Sequence, residues 1–283
     1  MDFNFVLCPP YHGATLLAVL LNNHKAITSL GDAVPTKDFI QTCSCGESVV
    51  NCGFWNELAE QLGNKDDIYS VLPYLNIGKR TRTTALSGQI FGSWIAKLYL
   101  GDYLERYISF CQSIIKITKK NIFIDGEKII TKVAVLRALL GKKATIKVLH
   151  LTRDPRGFLN SCKKYIPGIT VAETARMWMN HSWIARLKGP FLRCEYLKLR
   201  HEDLCLNPDK TMSKVFAFYG VQNEKVVKNP EDFSSFHLMG NKMLMQFDGN
   251  INLDLEWKTS LSENEKKEIL ALTAPLSTQF GYV

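Results

Sequence analysis

Short apolar runs alternate with longer amphipathic stretches along the chain. The apolar runs have the length and side-chain content of buried strands and lie at residues 3–8, 25–32, 121–128, 147–151 and 191–199. Between them, apolar residues recur at helical spacing. Because strands that alternate with helices pair in parallel through crossover connections, the pattern predicts an α/β fold with a central parallel β-sheet flanked by helices.

The predicted helices fill the stretches between these strands. They lie at residues 16–23, 54–62, 67–72, 86–118, 129–140, 171–187, 209–219 and from Ser262 onward, and a further helix begins at Pro155. The stretch at 86–118 is predicted to break near Gly101 and Asp102. No repeat, low-complexity tract or linker interrupts the sequence, so residues 1–283 are predicted to form one domain.

The composition is that of an ordinary globular protein with a basic surplus. The 283 residues are 46% hydrophobic and 22% charged, and the formal net charge is +8. This surplus suits an anionic ligand, but the basic residues lie in separate short groups without a nucleic-acid motif. We therefore expect a small anionic cofactor rather than nucleic acid.

Hydropathy and cysteine content bear on the cellular compartment. The first residues lack the basic segment of a signal peptide, and no apolar run approaches the roughly 20 residues of a membrane-spanning helix. Eight cysteines in 283 residues are far fewer than in a disulfide-rich secreted protein. We expect a cytoplasmic protein with mostly reduced thiols, and the oligomeric state stays open.

Three cysteines, Cys43, Cys45 and Cys52, lie within ten residues of one another. Thiolates at this density can hold zinc, but the C-x-C spacing differs from the usual C-x₂₋₄-C, and the local sequence offers no clear fourth ligand. His12 and His24 are candidates for the fourth ligand. A packed loop of reduced thiols is the favoured interpretation, so the predicted site contains no metal ligand, and zinc is the alternative.

The opening segment predicts a strand, a tight loop and a helix. Such a turn directs backbone N–H groups and the positive end of the helix dipole at one point, which makes it a ready phosphate site. The loop at residues 9–15 lacks the lysine of the GxxxxGK[ST] motif, and no paired Mg²⁺ carboxylates are evident. A nucleotide triphosphatase or a kinase is therefore disfavoured.

A second strand, loop and helix surround Arg153, with Ser161 eight residues later. An arginine at a strand end can bind a phosphate with two N–H groups, and a serine hydroxyl can add a hydrogen bond. The alternative is that Arg153 pairs with Asp154 or caps a neighbouring helix. Together with the opening loop, the first interpretation describes a ligand with phosphates at two ends.

These segments resemble the sulfotransferases that use 3′-phosphoadenosine 5′-phosphosulfate (PAPS), and the resemblance covers nearly the whole chain. The opening loop stands where that family has P-[KR]-S-G-[ST]-T-L-L, and the Arg153 segment matches its 3′-phosphate motif. Other segments resemble bacterial-type members, including the C-S-C-G…C-x-F-W stretch. The matching segments are PYHGATLL (10–17), IDGEK (124–128), LTRDPR (151–156) with Ser161, LRHEDL (199–204) with Asn207-Pro208, HLMGN (237–241), Trp257-Lys258 and FGY (280–282).

The resemblance implies a P-loop-like sulfotransferase fold and transfer of a sulfuryl group from PAPS to a hydroxyl or amine, with 3′-phosphoadenosine 5′-phosphate (PAP) as product. The acceptor class stays open between a small molecule, a carbohydrate, a lipid and a peptide. Its pocket is expected within residues 32–102 and 239–247, and Arg80 and Arg82 are further contact candidates. The implied cofactor-binding residues are Tyr11, His12, Gly13, Ala14, Thr15, Leu16, Arg153, Ser161 and His201.

The resemblance also implies catalytic roles. Asp32 stands where relatives carry the carboxylate that serves as general base, and Lys128 or His12 would offset charge on the leaving group. The chain departs from the family in the opening loop, where Tyr11 replaces the usual lysine or arginine and His12 replaces serine. A pseudo-enzyme that binds PAPS or PAP without efficient transfer is therefore the alternative function.

Overall fold

The structure is a computed structural model that describes residues 2–31, 35, 42–75, 93–141, 144–187, 192–226, 235–238 and 250–282. Within these residues, five strands form a parallel sheet in the order β2-β3-β1-β4-β5. The strands are β1 (Phe3–Leu7), β2 (Ile27–Thr28), β3 (Ile122–Asp125), β4 (Ile146–Thr152) and β5 (Glu195–Arg200). The predicted α/β fold with a central parallel sheet is confirmed.

The described helices cover both faces of this sheet. In chain order they are α1 (Ala14–Asn22), α2 (Gly53–Gln61), α3 (Ile68–Val71), α4 (Ser93–Thr118), α5 (Ile130–Leu140), α6 (Pro155–Tyr165), α7 (Val171–Ser182), α8 (Ile184–Leu187), α9 (His201–Leu206), α10 (Pro208–Tyr219), α11 (Trp257–Ser260), α12 (Glu263–Thr273) and α13 (Leu276–Gln279). Pro155 takes the first turn of α6 as predicted. The predicted break in the long helix is a kink in α4 at Leu100.

Strand β1 shows why the sheet is buried on both faces. Alternate side chains point to opposite faces of a strand, so Phe3 and Phe5 pack with α2, α4 and α5. Val6 packs on the other face with residues of α1 and α10. All five residues of β1 are buried, as the continuous apolar run predicts.

The helix predicted over 171–187 is divided into α7 and α8, and the last predicted helix is divided into α12 and α13. Two further differences from the sequence-based expectation have a clear physical cause. Strand β2 is only two residues long because the Asn22 side chain, rather than a neighbouring strand, hydrogen-bonds the backbone of Ser29, the residue after β2. Its Nδ2 donates to Ser29 O at 2.8 Å and its Oδ1 accepts from Ser29 N at 3.2 Å. Residues 201–206 form a helix that was not predicted. Asn207, which precedes Pro208, adopts φ −140° and ψ 65°, and this separates α9 from α10.

None of the described helices has both the length and the hydropathy needed to cross a membrane. The single domain over residues 1–283, the cytoplasmic location and the absence of a nucleic-acid partner stay predictions.

Candidate active site

Most of the described candidate residues follow the carboxyl ends of neighbouring parallel strands. The loop at residues 8–13 follows β1, Arg153 follows β4, and His201 follows β5. Strand β4 pairs with β1 on one side and with β5 on the other. The three segments therefore share one edge of the sheet, which is where open α/β sheets bind ligands.

The opening loop has the backbone conformation of an anion-binding turn. Tyr11 (φ 60°) and Gly13 (φ 83°) are left-handed, and Gly13 is the N-cap of α1. No side chain caps this helix, so the N–H groups of its first turn, from Ala14 to Leu16, are directed toward the loop. A Cβ at Gly13 would overlap the imidazole of His201. Glycine is thus required both by the backbone angle and by the close approach of His201.

Arg153 connects the two predicted phosphate-binding elements. Its Nη1 donates to Tyr11 O at 2.7 Å and to Ser161 Oγ at 3.1 Å. Its Nη2 lies 3.4 Å from a carboxylate oxygen of Asp254, and the residue is 8% exposed. The structure therefore brings the opening loop, Arg153 and Ser161 together at one place.

Asp154, the alternative partner considered for Arg153 in the sequence, binds Arg156 instead. Asp154 caps α6 by accepting from Arg156 N, and its carboxylate also accepts from Arg156 Nε at 2.9 Å and Nη2 at 2.7 Å. The Arg156 guanidinium lies over the Trp257 ring at 4.4 Å from its centroid. The guanidinium of Arg153 is thus directed at the loop and Ser161 rather than at Asp154.

A buried network that the sequence did not reveal holds the peptide unit after Arg153 and the Thr152 side chain before it. Trp178 Nε1 donates to Arg153 O at 2.9 Å. Glu202 accepts from Asp154 N at 2.8 Å and from the Tyr282 hydroxyl at 2.9 Å. The Tyr282 and Thr152 hydroxyls are 3.0 Å apart. These contacts join β4 to α7, α9 and the residues after α13, so they are positioning contacts for the Arg153 guanidinium.

The two histidines of the site are neutral at pH 7. Burial lowers the pKa of His201 to about 4, and the positive charge of Arg153 adds to this. Burial also holds the pKa of His12 well below its usual value, and Arg153, His181 and His201 contribute in the same direction. His12 Nδ1 lies 3.0 Å from Pro10 O and therefore carries the proton that it donates there. A neutral His12 does not provide the cation that the sequence interpretation assigned to it.

His181 interacts electrostatically with His12 of the opening loop and with Lys128. Burial lowers the pKa of His181, and the charge of Lys128 adds to this effect; His181 in turn lowers the pKa of His12. His181 was not singled out from the sequence, because a histidine in an amphipathic helix carries no local signal. Lys128 follows β3 with a left-handed backbone, φ 65°.

A buried ion cluster joins the end of β3 to α5. Lys132 Nζ lies 2.6 Å from Asp125 Oδ2 and pairs with Glu127 as well. The Tyr107 hydroxyl donates to Asp125 Oδ2 at 2.7 Å. Since Lys132 is fully engaged by two carboxylates, Lys128 is the lysine of this segment that stays a candidate for charge stabilisation.

Gly31 is the described residue that directly precedes Asp32. A Cβ on Gly126, just after β3, would overlap Gly31 O, so the ends of the β2 and β3 segments touch here. Asp32 itself, Arg80, Arg82 and residues 239–247 lie outside the described residues.

A cavity of about 170 Å³ lined by Phe3, Asn121 and other residues lies at the amino ends of the strands. It is therefore at the opposite edge of the sheet from the candidate site.

Comparison with known proteins gives two partial sequence relatives. Carbohydrate sulfotransferase 1 of Danio rerio is 29% identical over 124 residues, which are 35% of this chain and 28% of that protein. Carbohydrate sulfotransferase 1 of Homo sapiens is 28% identical over 112 residues, 30% of this chain and 26% of that protein. The matches thus span about a quarter of these relatives. No family model matches the chain.

Solved structures show the same fold over the full chain. The sulfotransferase domain of the Synechococcus PCC 7002 olefin synthase superposes with a TM-score of 0.58 at 16% identity, covering 100% of this chain and 95% of that one. The sulfotransferase domain from the curacin biosynthetic pathway gives 0.54 at 16% identity, with 100% and 98% covered. The chain therefore has the sulfotransferase fold, as its motifs predict.

Proposed function

We propose that the protein is a sulfotransferase that moves the sulfuryl group of PAPS to a hydroxyl or amine of an acceptor. The observation that carries this proposal is the position of Arg153, whose Nη1 donates to both Tyr11 O and Ser161 Oγ. A guanidinium and a hydroxyl form a suitable pair for a terminal phosphate. The sulfotransferase fold of the chain and its partial sequence relatives support the same activity.

The residues present fit a nucleotide with phosphates at both ends. Arg153 and Ser161 would hold the 3′-phosphate. The first turn of α1, without a side-chain cap and with Gly13 before it, would hold the 5′ end through backbone N–H groups and the Thr15 hydroxyl. His201 packs against Gly13 between these two elements, and we assign it a contact with the nucleoside.

PAPS supplies an activated sulfuryl group attached to its 5′-phosphate, so the protein has to orient the acceptor, remove its proton and stabilise negative charge. We assign the removal of the acceptor's proton to Asp32, which directly follows Gly31 at the carboxyl edge of the sheet. We assign charge stabilisation to Lys128, because it acts electrostatically on His181 beside the opening loop. His12 then serves as a buried neutral part of the loop.

A nucleotide-binding pseudo-enzyme is the second candidate, favoured by one specific observation. The ring of Tyr11, at the position of the family's cation, stacks on Tyr165 with centroids 5.2 Å apart. Neither Tyr11 nor the neutral His12 places a positive charge in the loop. Binding with little transfer would follow if Lys128 does not fill this role.

The first acceptors to test are carbohydrates. The two partial relatives are named carbohydrate sulfotransferases, and a sugar hydroxyl is chemically suited to the reaction. Small-molecule alcohols, amines, lipids and tyrosine peptides form the rest of the panel.

The test measures transfer from PAPS radiolabelled in its sulfuryl group, together with release of PAP, for each acceptor class. We expect transfer by the wild type and its loss in Asp32→Asn. The exposed Asp66→Asn is the matched control and retains activity. Nucleotide binding without transfer to any class would establish the pseudo-enzyme, and absence of PAP binding would reject both candidates.

A further inference from the structure

Cys43, Cys45, Cys52 and His237 form a cluster that the proposed transfer reaction does not use. The sulfur and imidazole ligand atoms all lie within 4.8 Å of one another. Cys43 and Cys52 are fully buried, whereas Cys45 and His237 are partly exposed. The three cysteines were recognisable from the sequence, but the fourth group comes from a segment 185 residues after Cys52.

The separations between these atoms are those of a tetrahedral zinc site. Cys52 Sγ lies 3.6 Å from Cys45 Sγ, 3.7 Å from Cys43 Sγ and 3.3 Å from His237 Nδ1. Cys43 Sγ lies 3.6 Å from His237 Nδ1. Zinc bonds of about 2.3 Å to sulfur and about 2.0 Å to nitrogen give tetrahedron edges of about 3.8 Å and 3.5 Å. Four of the six separations lie within about 0.2 Å of these edges, and the other two are below 4.8 Å.

Backbone hydrogen bonds fix the segments that carry the four groups. Cys43 N donates to Glu47 O at 2.8 Å and Gly46 N donates to Cys43 O at 2.9 Å, which closes a tight turn around Cys45. Ser44 N donates to Leu238 O at 3.0 Å, and Leu238 N donates to Ser44 Oγ at 2.9 Å. The second pair holds the residue after His237 against the C-x-C segment.

The environment of the sulfur atoms suits thiolates that have a cation beside them. Cys52 immediately precedes α2, and the backbone N–H groups of Phe54 and Trp55 hydrogen-bond its sulfur. The N–H of Cys45 hydrogen-bonds the sulfur of Cys43 in the same way. Such N–H···S contacts stabilise negative sulfur, while a metal ion offsets the cost of burying it.

His237 is held in the orientation of a ligand. Its ring stacks on Phe54 with centroids 4.9 Å apart and an interplanar angle of 7°. The residue has a left-handed backbone, with φ 50°. A costly backbone conformation that directs Nδ1 at three sulfurs is typical of a site with a specific role.

We propose that Cys43, Cys45, Cys52 and His237 bind one zinc ion in a structural Cys₃His site. Three thiolates and an imidazole are the ligands that zinc prefers, and four protein ligands leave no open position for catalysis. The ion would fasten the segment before α2 to residues 235–238. This replaces the packed loop of reduced thiols expected from the sequence, and it is independent of the proposed transfer reaction.

The test begins with metal analysis of the full chain, purified without an affinity tag and under reducing conditions. We expect one zinc ion per chain by plasma mass spectrometry and no comparable iron. Cys45→Ala and His237→Ala are expected to lose the zinc. Cys194→Ala, also a partly exposed cysteine but outside the cluster, is the matched control and keeps it.

Cobalt substitution keeps the proposal testable if a variant fails to fold. Wild-type protein stripped with a chelator and loaded with Co²⁺ is expected to show the intense visible bands of tetrahedral cobalt and a near-ultraviolet thiolate-to-metal band. His237→Cys should retain metal because it supplies a fourth thiolate. The proposal is overturned if neither metal binds, if the zinc survives in Cys45→Ala, or if freshly purified protein carries a disulfide within the cluster instead of metal.

Discussion

The loop after β1 and the loop after β4 lie side by side, but their side chains differ in what they present to an anion. At the end of β4, Arg153 places a guanidinium beside Ser161, and its carbonyl is held by Trp178. At the end of β1, the backbone has the form of an anion-binding turn, yet Tyr11 stacks on another ring and His12 is buried and neutral. One loop offers charge and the other offers chiefly backbone N–H groups.

This difference separates nucleotide binding from sulfuryl transfer. We assign the 3′-phosphate to Arg153 and Ser161, so affinity is expected to depend mainly on them. The opening loop has Tyr11 where sulfotransferases usually carry a lysine or arginine, so the rate of transfer is expected to depend on another positive charge, which we assign to Lys128. Variants in the two loops should therefore change different quantities.

The largest expected effect is that of Arg153→Ala on the affinity for PAP. Removing a buried guanidinium from a phosphate costs about 3–4 kcal/mol, or roughly 150- to 700-fold in the dissociation constant. Arg176→Ala removes an exposed arginine from α7 and is the matched control. Calorimetric titration of both variants checks this, and equal affinities in the two would remove Arg153 from the site.

The second-largest expected effect is the pH dependence of stability that arises from His201, which lies against the opening loop. The pKa of His201 is about 4 in the folded protein and near 6.5 when exposed, so the unfolded state binds more protons between these values. The contribution of His201 to the free energy of unfolding, about 3 kcal/mol, is therefore complete above pH 6.5 and is lost as the pH falls toward 4.

Urea unfolding of the wild type and His201→Gln from pH 7 to pH 4 measures this contribution. The variant lacks the titrating group, so its free energy of unfolding is expected to fall less steeply over this range. His12 contributes in the same direction in both proteins, and because His201 is the smallest of the influences on its pKa, the difference between the two profiles reports mainly His201. Identical pH profiles would mean that the His201 ring is not buried between the loops.

Restoring a cation to the opening loop is expected to affect rate more than affinity. Tyr11→Lys should raise the transfer rate about 10- to 50-fold, since one well-placed donor of this kind contributes on the order of 2 kcal/mol. Tyr11→Phe keeps the ring without adding charge and is the control. Equal rates for the two variants would show that the missing cation does not limit transfer.

Ser161→Ala should weaken PAP binding by a smaller factor. A single hydroxyl hydrogen bond contributes about 1 kcal/mol, or roughly fivefold in affinity. Ser182→Ala, at another buried helical serine whose hydroxyl bonds Trp178 O, is the control for the effect on folding. If Ser161→Ala binds PAP like the wild type, the hydroxyl serves only to orient Arg153.

The smallest expected effect is a gain in affinity. The carboxylate of Asp254 lies 3.4 Å from Arg153 Nη2 and is exposed, so it competes weakly with an anion. Asp254→Asn should tighten PAP binding two- to threefold, an effect of about 0.5 kcal/mol that decreases with added salt. Glu268→Gln removes an exposed charge elsewhere and should not change binding. Unchanged affinity in Asp254→Asn would place the phosphate away from Nη2.

The sheet and the Arg153 loop could be predicted because their signals are local. The apolar run of β4, Pro155 at the first turn of α6 and the spacing from Arg153 to Ser161 lie within twenty residues. The truncation of β2 could not be predicted, because it follows from the hydrogen bonds of one Asn22 side chain.

The parts of the site that escaped prediction depend on contacts between distant segments. Glu202 and Tyr282 position the Arg153 loop from 80 residues apart; both lie in segments that resemble sulfotransferase motifs, but the sequence does not indicate that the two side chains meet. The same holds for His237, which joins the cysteines only in the folded chain. The neutral state of His12 is likewise a consequence of burial, which the sequence of the loop does not express.

The most direct test of the account compares PAP with adenosine 5′-phosphate, which lacks only the 3′-phosphate, by titration of the wild type and Arg153→Ala. The wild type is expected to bind PAP at least a hundredfold more tightly, and Arg153→Ala is expected to bind the two nucleotides almost equally. Equal affinities in the wild type, or a preference for PAP that survives in Arg153→Ala, would contradict the assignment of the 3′-phosphate to Arg153.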